Sequence, residues 1–419
     1  MLAIRSHGRM SEFGYLTVAS GLHDPGTVDR VTGDVRASLA GLGGKPMTAP
    51  EDGPGSPMVI LVATGGTEAE ILDLVRRRQA VAPYEPVVLV AHPLHNSLPA
   101  ALEAMARVNA DGQRGRIVQV DHGEPRPVAT AVADVAAIHR LHRTRLGLVG
   151  APSPWLVASV PDAALLRARW GVELVPIDIA ATIDDYRHAD ADRARAVAVR
   201  FAGRAEPSAE LVGAASLHPV LVDAISRAGV DAVAVRCFDY LDALTTSGCV
   251  ALAELNDRGR VAGCEGDVAS TVAMILVRAL LDQPSWMANP AAIDEERDRV
   301  LLAHCTVAPS LVEDVELHTH FESGLGVGLR GRFAPGLVTL LRLGGPALDR
   351  FWVSEAEVEQ SGDADDICRT QVTVHLDGVP AASLLEAPLG NHLLLFHGRH
   401  RDRIERWWRL AFGETPAGS

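Results

Sequence analysis

The sequence predicts an α/β protein: two Rossmann-like parallel-sheet domains followed by a β-rich C-terminal domain. Three observations carry that prediction. Short continuous apolar runs such as Met58–Ala63 alternate with stretches of helical spacing. That alternation marks buried parallel strands with helices on both sheet faces. The 419 residues exceed what one ordinary core takes up. Beyond residue 301 the alternation stops, and short β-like runs between Gly and Pro turns replace it.

The elements follow in order. Residues 36–57 are rich in Gly, Pro and Ala and read as a surface loop. Met58–Ala63 is a strand that ends in the Gly-rich turn Thr64–Glu68 and leads into a helix at Ala69–Arg78. Pro86–Ala91, Arg116–Val120 and Leu146–Gly150 are further strands, with helices around Pro99–Val108 and Val128–Leu141. A second series begins where Ser153-Pro154-Trp155 opens a helix. It continues with strands at Val172–Ile177 and Ala232–Arg236 and a helix at Pro219–Ala228. Val338–Leu343, Phe351–Val353, Thr370–Leu376 and Asn391–Phe396 are the later strands, and Arg401–Phe412 is a closing amphipathic helix. The expected division is therefore 1–145, 146–300 and 301–419.

Composition narrows the function classes. A formal net charge of −14 argues against a nucleic-acid partner, which needs a basic face. Five cysteines without CxxC spacing argue against a disulfide framework and point to a reducing compartment. Met1–Tyr15 has no apolar h-region, and no stretch reaches the roughly 18 uninterrupted apolar residues of a membrane span. The expectation is a soluble, cytoplasmic protein with no membrane partner.

The chemistry-bearing stretch is Gly263-Cys264-Glu265-Gly266-Asp267-Val268. Two carboxylates at i and i+2 on a Gly-bounded turn reach one site. Carboxylates are hard oxygen ligands, and a metal-linked Glu can also move a proton. The competing reading is that Asp267 caps the helix Val268–Leu281 and Glu265 is merely exposed. His304 follows an apolar run, and a lone His there is more often a satisfied buried residue than a ligand. In a strand, His318, His320 and Glu322 would share one face, either for metal or substrate or as a polar edge. His392, in Gly390-Asn391-His392, enters a strand far along the chain from Glu265, and His is a common transition-metal ligand. Thr64-Gly65-Gly66-Thr67 lacks the Walker lysine, and Gly324–Gly328 has no helix after it.

Taken together, these pieces resemble the L-fucose isomerase / L-arabinose isomerase family, in its shorter fucose-isomerase-like branch. Leu255–Gly259, Cys264–Asp267, His304–Thr306, His320–Gly324 and Gly390–His392 stand in the family-like order, with Thr64–Glu68 and Asn96–Pro99 before them. The resemblance covers most of the chain and implies two α/β domains with a β-rich third. It implies aldose–ketose isomerisation through an enediol and a divalent metal, usually Mn2+, held by a Glu, an Asp and a His. Glu265 matches the Glu and His392 the His. Asn289 stands where the Asp is expected, and Asn cannot ionise. Asp267 or His304 then takes over, or the metal is held weakly, or the chemistry has changed.

The expected function is thus a metal-dependent sugar isomerase. Glu265 is base and ligand, His392 a ligand, and Asp267 a ligand or second acid/base. Asn96, His304, His320 and Glu322 contact the sugar or polyol. The resemblance also implies a homo-oligomer, trimer or hexamer. The alternatives are a lyase, epimerase or tailoring enzyme on the same scaffold, or a non-catalytic sugar-binding protein.

Overall fold

Parallel sheets covered by helices and a closed antiparallel barrel make up the fold, and each part follows from its residue pattern. The computed structural model describes residues 12–121 and 124–413. Most of the Met1–Tyr15 stretch considered above lies outside them. Two compact units are present. One runs through Arg140 and takes in the stretch from Ile404, and the other is Leu141–Arg403.

The first unit is a five-stranded, all-parallel sheet in the order Gly44–Pro46, Phe13–Val18, Met58–Val62, Val87–Ala91, Gly115–Gln119. Met58–Val62 and Val87–Ala91 are buried at every position, as continuous apolar runs require when helices cover both faces. Residues 36–57 are not all loop, because the helix Pro25–Gly41 and the strand Gly44–Pro46 occupy part of them. The Asp24 side chain caps that helix by accepting from Thr27 N, and a proline opens its first turn. Those two signals set the helix start, and the alanines inside it, Ala37 and Ala40, favour the helix.

The second unit begins with a four-stranded parallel sheet. Its order is Glu173–Ile177, Arg145–Val149, Ala232–Val235, Ala262–Gly263. The expected helix at Ser153-Pro154-Trp155 is absent among the described residues there; these residues form turns, and the first helix is Ala163–Trp170. The reason is tertiary: the Ser153 N–H is drawn onto the Glu265 carbonyl. The helix Ala209–Ala228 is long and apolar enough to resemble a membrane span, and half of its apolar window is buried inside the protein.

The same unit continues into a six-stranded closed barrel. Around it run Trp286–Asp294, Arg299–His304, Thr370–Asp377, Arg350–Ser361, Gly336–Gly344 and Leu393–His397. Every adjacent pair is antiparallel. Val300, Leu302, Leu340, Val358, Val372, Val374 and Leu395 fill its core. The expected boundary at 300/301 falls inside the strand Arg299–His304, which pairs with residues on both its sides. The shared strand face expected for His318, His320 and Glu322 does not form. The strand Asp314–His318 ends at His318, and the Gly324 N–H then bonds back to the His320 carbonyl in a turn.

Candidate metal centre

Glu265 lies on the turn that leaves the short strand Ala262–Gly263, at the carboxyl edge of the parallel sheet. Open α/β sheets place ligand sites at that edge. The turn is tightly determined. Glu265 itself has φ 60° and Gly266 φ 66°. A Cβ on Gly266 would meet the Ala151 carbonyl oxygen at 2.6 Å and Pro152 Cα at 2.9 Å. Only glycine lets the turn lie against residues 151–152. The Ser153 N–H donates to the Glu265 carbonyl and the Gly266 N–H to the Val235 carbonyl, both at 2.9 Å.

This turn meets two histidines from the barrel. His304 ends the strand Arg299–His304, and His392 directly precedes Leu393–His397. The strand Trp286–Asp294 pairs with both of those strands and so fixes their spacing. Glu265 Oε1 is 3.6 Å from His304 Nε2 and 3.5 Å from His392 Nε2. The three residues are buried, and one ligand atom from each lies within 4.8 Å of the others. Glu265 Oε2 accepts a 2.7 Å hydrogen bond from the Trp155 indole N–H.

Asp267 is wholly buried and its carboxylate is fully engaged. Oδ1 accepts from Ser270 N at 2.7 Å, which caps the helix Val268–Leu281. Oδ2 accepts from Ser270 Oγ at 2.8 Å and lies 2.8 Å from His392 Nδ1. Arg342 Nη1 stands 3.4 Å from that same oxygen. Arg342 also donates to Ser270 Oγ and Ser159 Oγ, each at 2.6 Å. Asp267 is therefore the helix cap of the competing reading and a partner of His392 at once. A carboxylate bonded to the far nitrogen of a ligating histidine orients the ring and sets its tautomer. Here it turns Nε2 toward Glu265.

The electrostatics follow from this geometry. Burial pushes the Glu265 carboxyl up, but His304 and His392 outweigh it and leave it far below the ordinary range. Burial likewise raises Asp267, and His392 and Arg342 bring it below its usual value. For His392 burial is the largest influence and lowers it, yet Asp267 and Glu265 together raise it to about 9. The residues fit a divalent cation. One carboxylate and two imidazoles are a donor set for such an ion. His392 Nε2 and His304 Nδ1 are buried with no hydrogen-bond partner among the described residues.

Other residues singled out from the sequence fall as follows. Asn289 lies on the strand Trp286–Asp294, and its Oδ1 accepts from Asn391 Nδ2 at 3.2 Å. Asn96 belongs to the first unit, where it precedes the helix Ser97–Ala110 in a left-handed conformation. His320 Nδ1 is 3.1 Å from Ser323 Oγ. The His320 ring meets Phe238 edge-on at 5.5 Å, and Phe238 meets Trp155 at 5.0 Å. Burial first, then the charge of His304, lowers His320 to about 4. Burial first, then the charge of Glu265, raises Glu322. Sequence reasoning missed Trp155, Phe238 and Arg342 as site residues. A signal existed for Arg342, since a charge interrupts the apolar run Val338–Leu343. All five cysteines are free.

No established family profile matches the chain. Three curated proteins are similar to it, each a sulfoquinovose isomerase. That of Clostridium sp. (strain MSTE9) is 27% identical over 262 residues, 56% of this chain and 58% of the relative. Those of Priestia aryabhattai and Priestia megaterium (strain ATCC 12872 / QMB1551) are 26% identical over 186 residues, 39% of this chain and 41% of each relative. The chain thus spans 58% of the first relative's length and 41% of the other two, and its distant relatives are sugar isomerases.

Proposed function

We propose that the chain is a sugar aldose–ketose isomerase whose reacting centre is the Glu265–His304–His392 cluster. One observation carries the reading. A carboxylate from the α/β sheet and two imidazoles from the barrel converge within 4.8 Å, and a wholly buried carboxylate orients one of the imidazoles. The resemblance to the fucose and arabinose isomerases and the sulfoquinovose isomerase relatives support the same reaction class. By those relatives' substrate, a sulfonated aldose is the first sugar to test.

A divalent cation, Mn2+ in the resembling family, would be held by Glu265, His304 and His392 and would polarise two adjacent sugar oxygens. The chain's own residues do the rest. Glu265 stays ionised and is the base that takes the proton from the carbon beside the carbonyl. Asp267 is consumed by the cap and His392, which leaves Glu265 as the carboxylate of the cluster. Trp155 orients the Glu265 carboxylate through Oε2. Trp155 and Phe238 form an apolar wall beside it. His320 is neutral at physiological pH and contacts a hydroxyl.

The test is proton exchange and ketose formation in D2O across a panel of aldoses, followed by NMR. The wild type exchanges the C2 proton, and Glu265→Gln loses about 10²–10⁴-fold while its melting temperature is retained. Chelation abolishes turnover and returned Mn2+ restores it. Full turnover in Glu265→Gln, or after complete chelation, rules the reading out. Position 289 carries an Asn, whose Oδ1 is already taken by Asn391, in place of the acid expected there, and this favours a second reading: a lyase or epimerase on the same scaffold. Exchange on another carbon acid without any ketose would select it.

A further inference from the structure

Arg330 lies in the strand Gly328–Arg332 and is 92% shielded from solvent, with 8% of its surface exposed. A guanidinium cannot shed its charge, so burial demands a counter-charge. What the described residues offer is thin. Nη2 reaches the Asp363 carbonyl and Asp365 Oδ1 only at 3.5 Å, and Nε has no partner among them. The Asp365 side chain is itself 92% exposed. A charge left this poorly compensated is destabilising unless a ligand completes it.

A second guanidinium stands beside it. Arg369 has 13% side-chain exposure, and its Nη1 lies 3.9 Å from the same Asp365 carboxylate. Its Nε donates to the Thr319 carbonyl at 2.9 Å, and its guanidinium carbon sits 5.7 Å from the centroid of the Phe321 ring. Gly328 brings the two together: a Cβ there would lie 3.4 Å from Arg369 Cγ and 3.3 Å from His320 Cα. Arg330, two residues along the strand, projects to the same face. The charge of Arg369 helps to depress His320, which also feels Glu265. Gly328 sets Arg369 against His320, whose ring joins Phe238 and Trp155 in a chain of contacts that ends on Glu265, so Arg369 stands on the His320 side of the reacting centre, with Arg330 sharing its Asp365 partner.

The geometry points to Arg330 and Arg369 as an oxyanion cradle that binds a sulfonate or phosphate carried on the exocyclic carbon of the sugar, and so sets substrate specificity. The inference rests on the sugar-isomerase reading for the carbon skeleton, but not for the cradle's chemistry. Paired guanidinium groups match tetrahedral oxyanions through parallel N–H donors. Asp365 is the competitor that an incoming anion displaces.

The test is calorimetric binding to the Mn2+-loaded full chain of three hexitols that cannot isomerise: 6-sulfonated, 6-phosphorylated and neutral. The wild type prefers an anionic hexitol over the neutral one. Tighter binding of the sulfonate or of the phosphate names the source. Arg330→Gln and Arg369→Gln each cut that preference by about 10- to 100-fold, the worth of a charge-assisted hydrogen bond, and Arg369→Lys recovers part of it. If a Gln variant fails to fold, Asp365→Asn on its exposed side chain still decides the matter, because anion binding then tightens by several-fold. Equal wild-type affinity for charged and neutral hexitols overturns the cradle, as does a preference that survives both Gln variants or ignores Asp365→Asn. Anion preference without isomerisation of any aldose sinks the isomerase reading and leaves the cradle standing.

Discussion

Asp267 shows how far one residue's role depends on its partners. By sequence it was a ligand, a second acid or a helix cap. It is a cap whose other oxygen holds His392 Nδ1. It therefore acts through His392, as a positioning residue. Asp267→Asn keeps a cap acceptor but loses the charge that orients the imidazole. Metal affinity falls about 10–100-fold, as for other partners of ligating histidines. Titration calorimetry with Mn2+ measures this. A purely structural role would instead lower the melting temperature and leave the affinity of the folded fraction unchanged. Glu265 is legible in the sequence because two glycines and a second acid surround it. His304 is less so, since a histidine after an apolar strand has no distinguishing neighbour until His392 arrives beside it.

At the scale of the element, the Gly263–Asp267 turn is the decisive piece. It carries a non-glycine residue, Glu265, in the left-handed region, where backbone strain of about 1–3 kcal/mol is usual. Such strain persists when surrounding bonds over-determine it, and here the Ser153 and Gly266 N–H groups do so. Gly266→Ala adds a β-carbon 2.6 Å from a backbone oxygen, which no side-chain rotation relieves. The expected cost is about 2–4 kcal/mol, with a loss of metal affinity as Glu265 is displaced. Denaturant melts and Mn2+ binding on the same sample check both, and a wild-type midpoint would contradict the argument. The buried parallel strands were legible because continuous apolar runs bounded by glycine have few other uses. The turn at 153–155 was misread as a helix because its conformation answers to Glu265, more than a hundred residues away.

At the scale of the whole chain, the unit Leu141–Arg403 holds every residue of the cluster, drawn from the α/β sheet and the barrel. Polar ties join those two parts. Asp257, at the end of the helix Cys249–Asp257, accepts from the Ser310 N–H at 2.7 Å and pairs with Arg200. Burial raises Asp257, but its Ser310 and Arg200 partners hold it below its usual value. A carboxyl depressed in the folded state contributes stability above its unfolded value of about 3.9, and that stability is lost as pH falls through the folded value. Asp257→Asn should therefore be less stable at neutral pH by about 1–3 kcal/mol, and the difference should vanish in acid. Urea midpoints measured from pH 7 down to pH 3 test this. Parallel curves for the two proteins would remove the tie from the account.

The sequence by itself determined the α/β series and the β-rich end, and it singled out Glu265 and His392 as candidates. Apolar periodicity and glycine placement are local signals that survive without the fold. Tertiary structure alone decided that His304 stands with them, that Asp267 meets His392 Nδ1 while capping its helix, and that Trp155 and Arg342 complete the surroundings. Those roles depend on distances between residues far apart in the chain. Local pattern cannot encode such distances, because strand pairing and barrel closure create them.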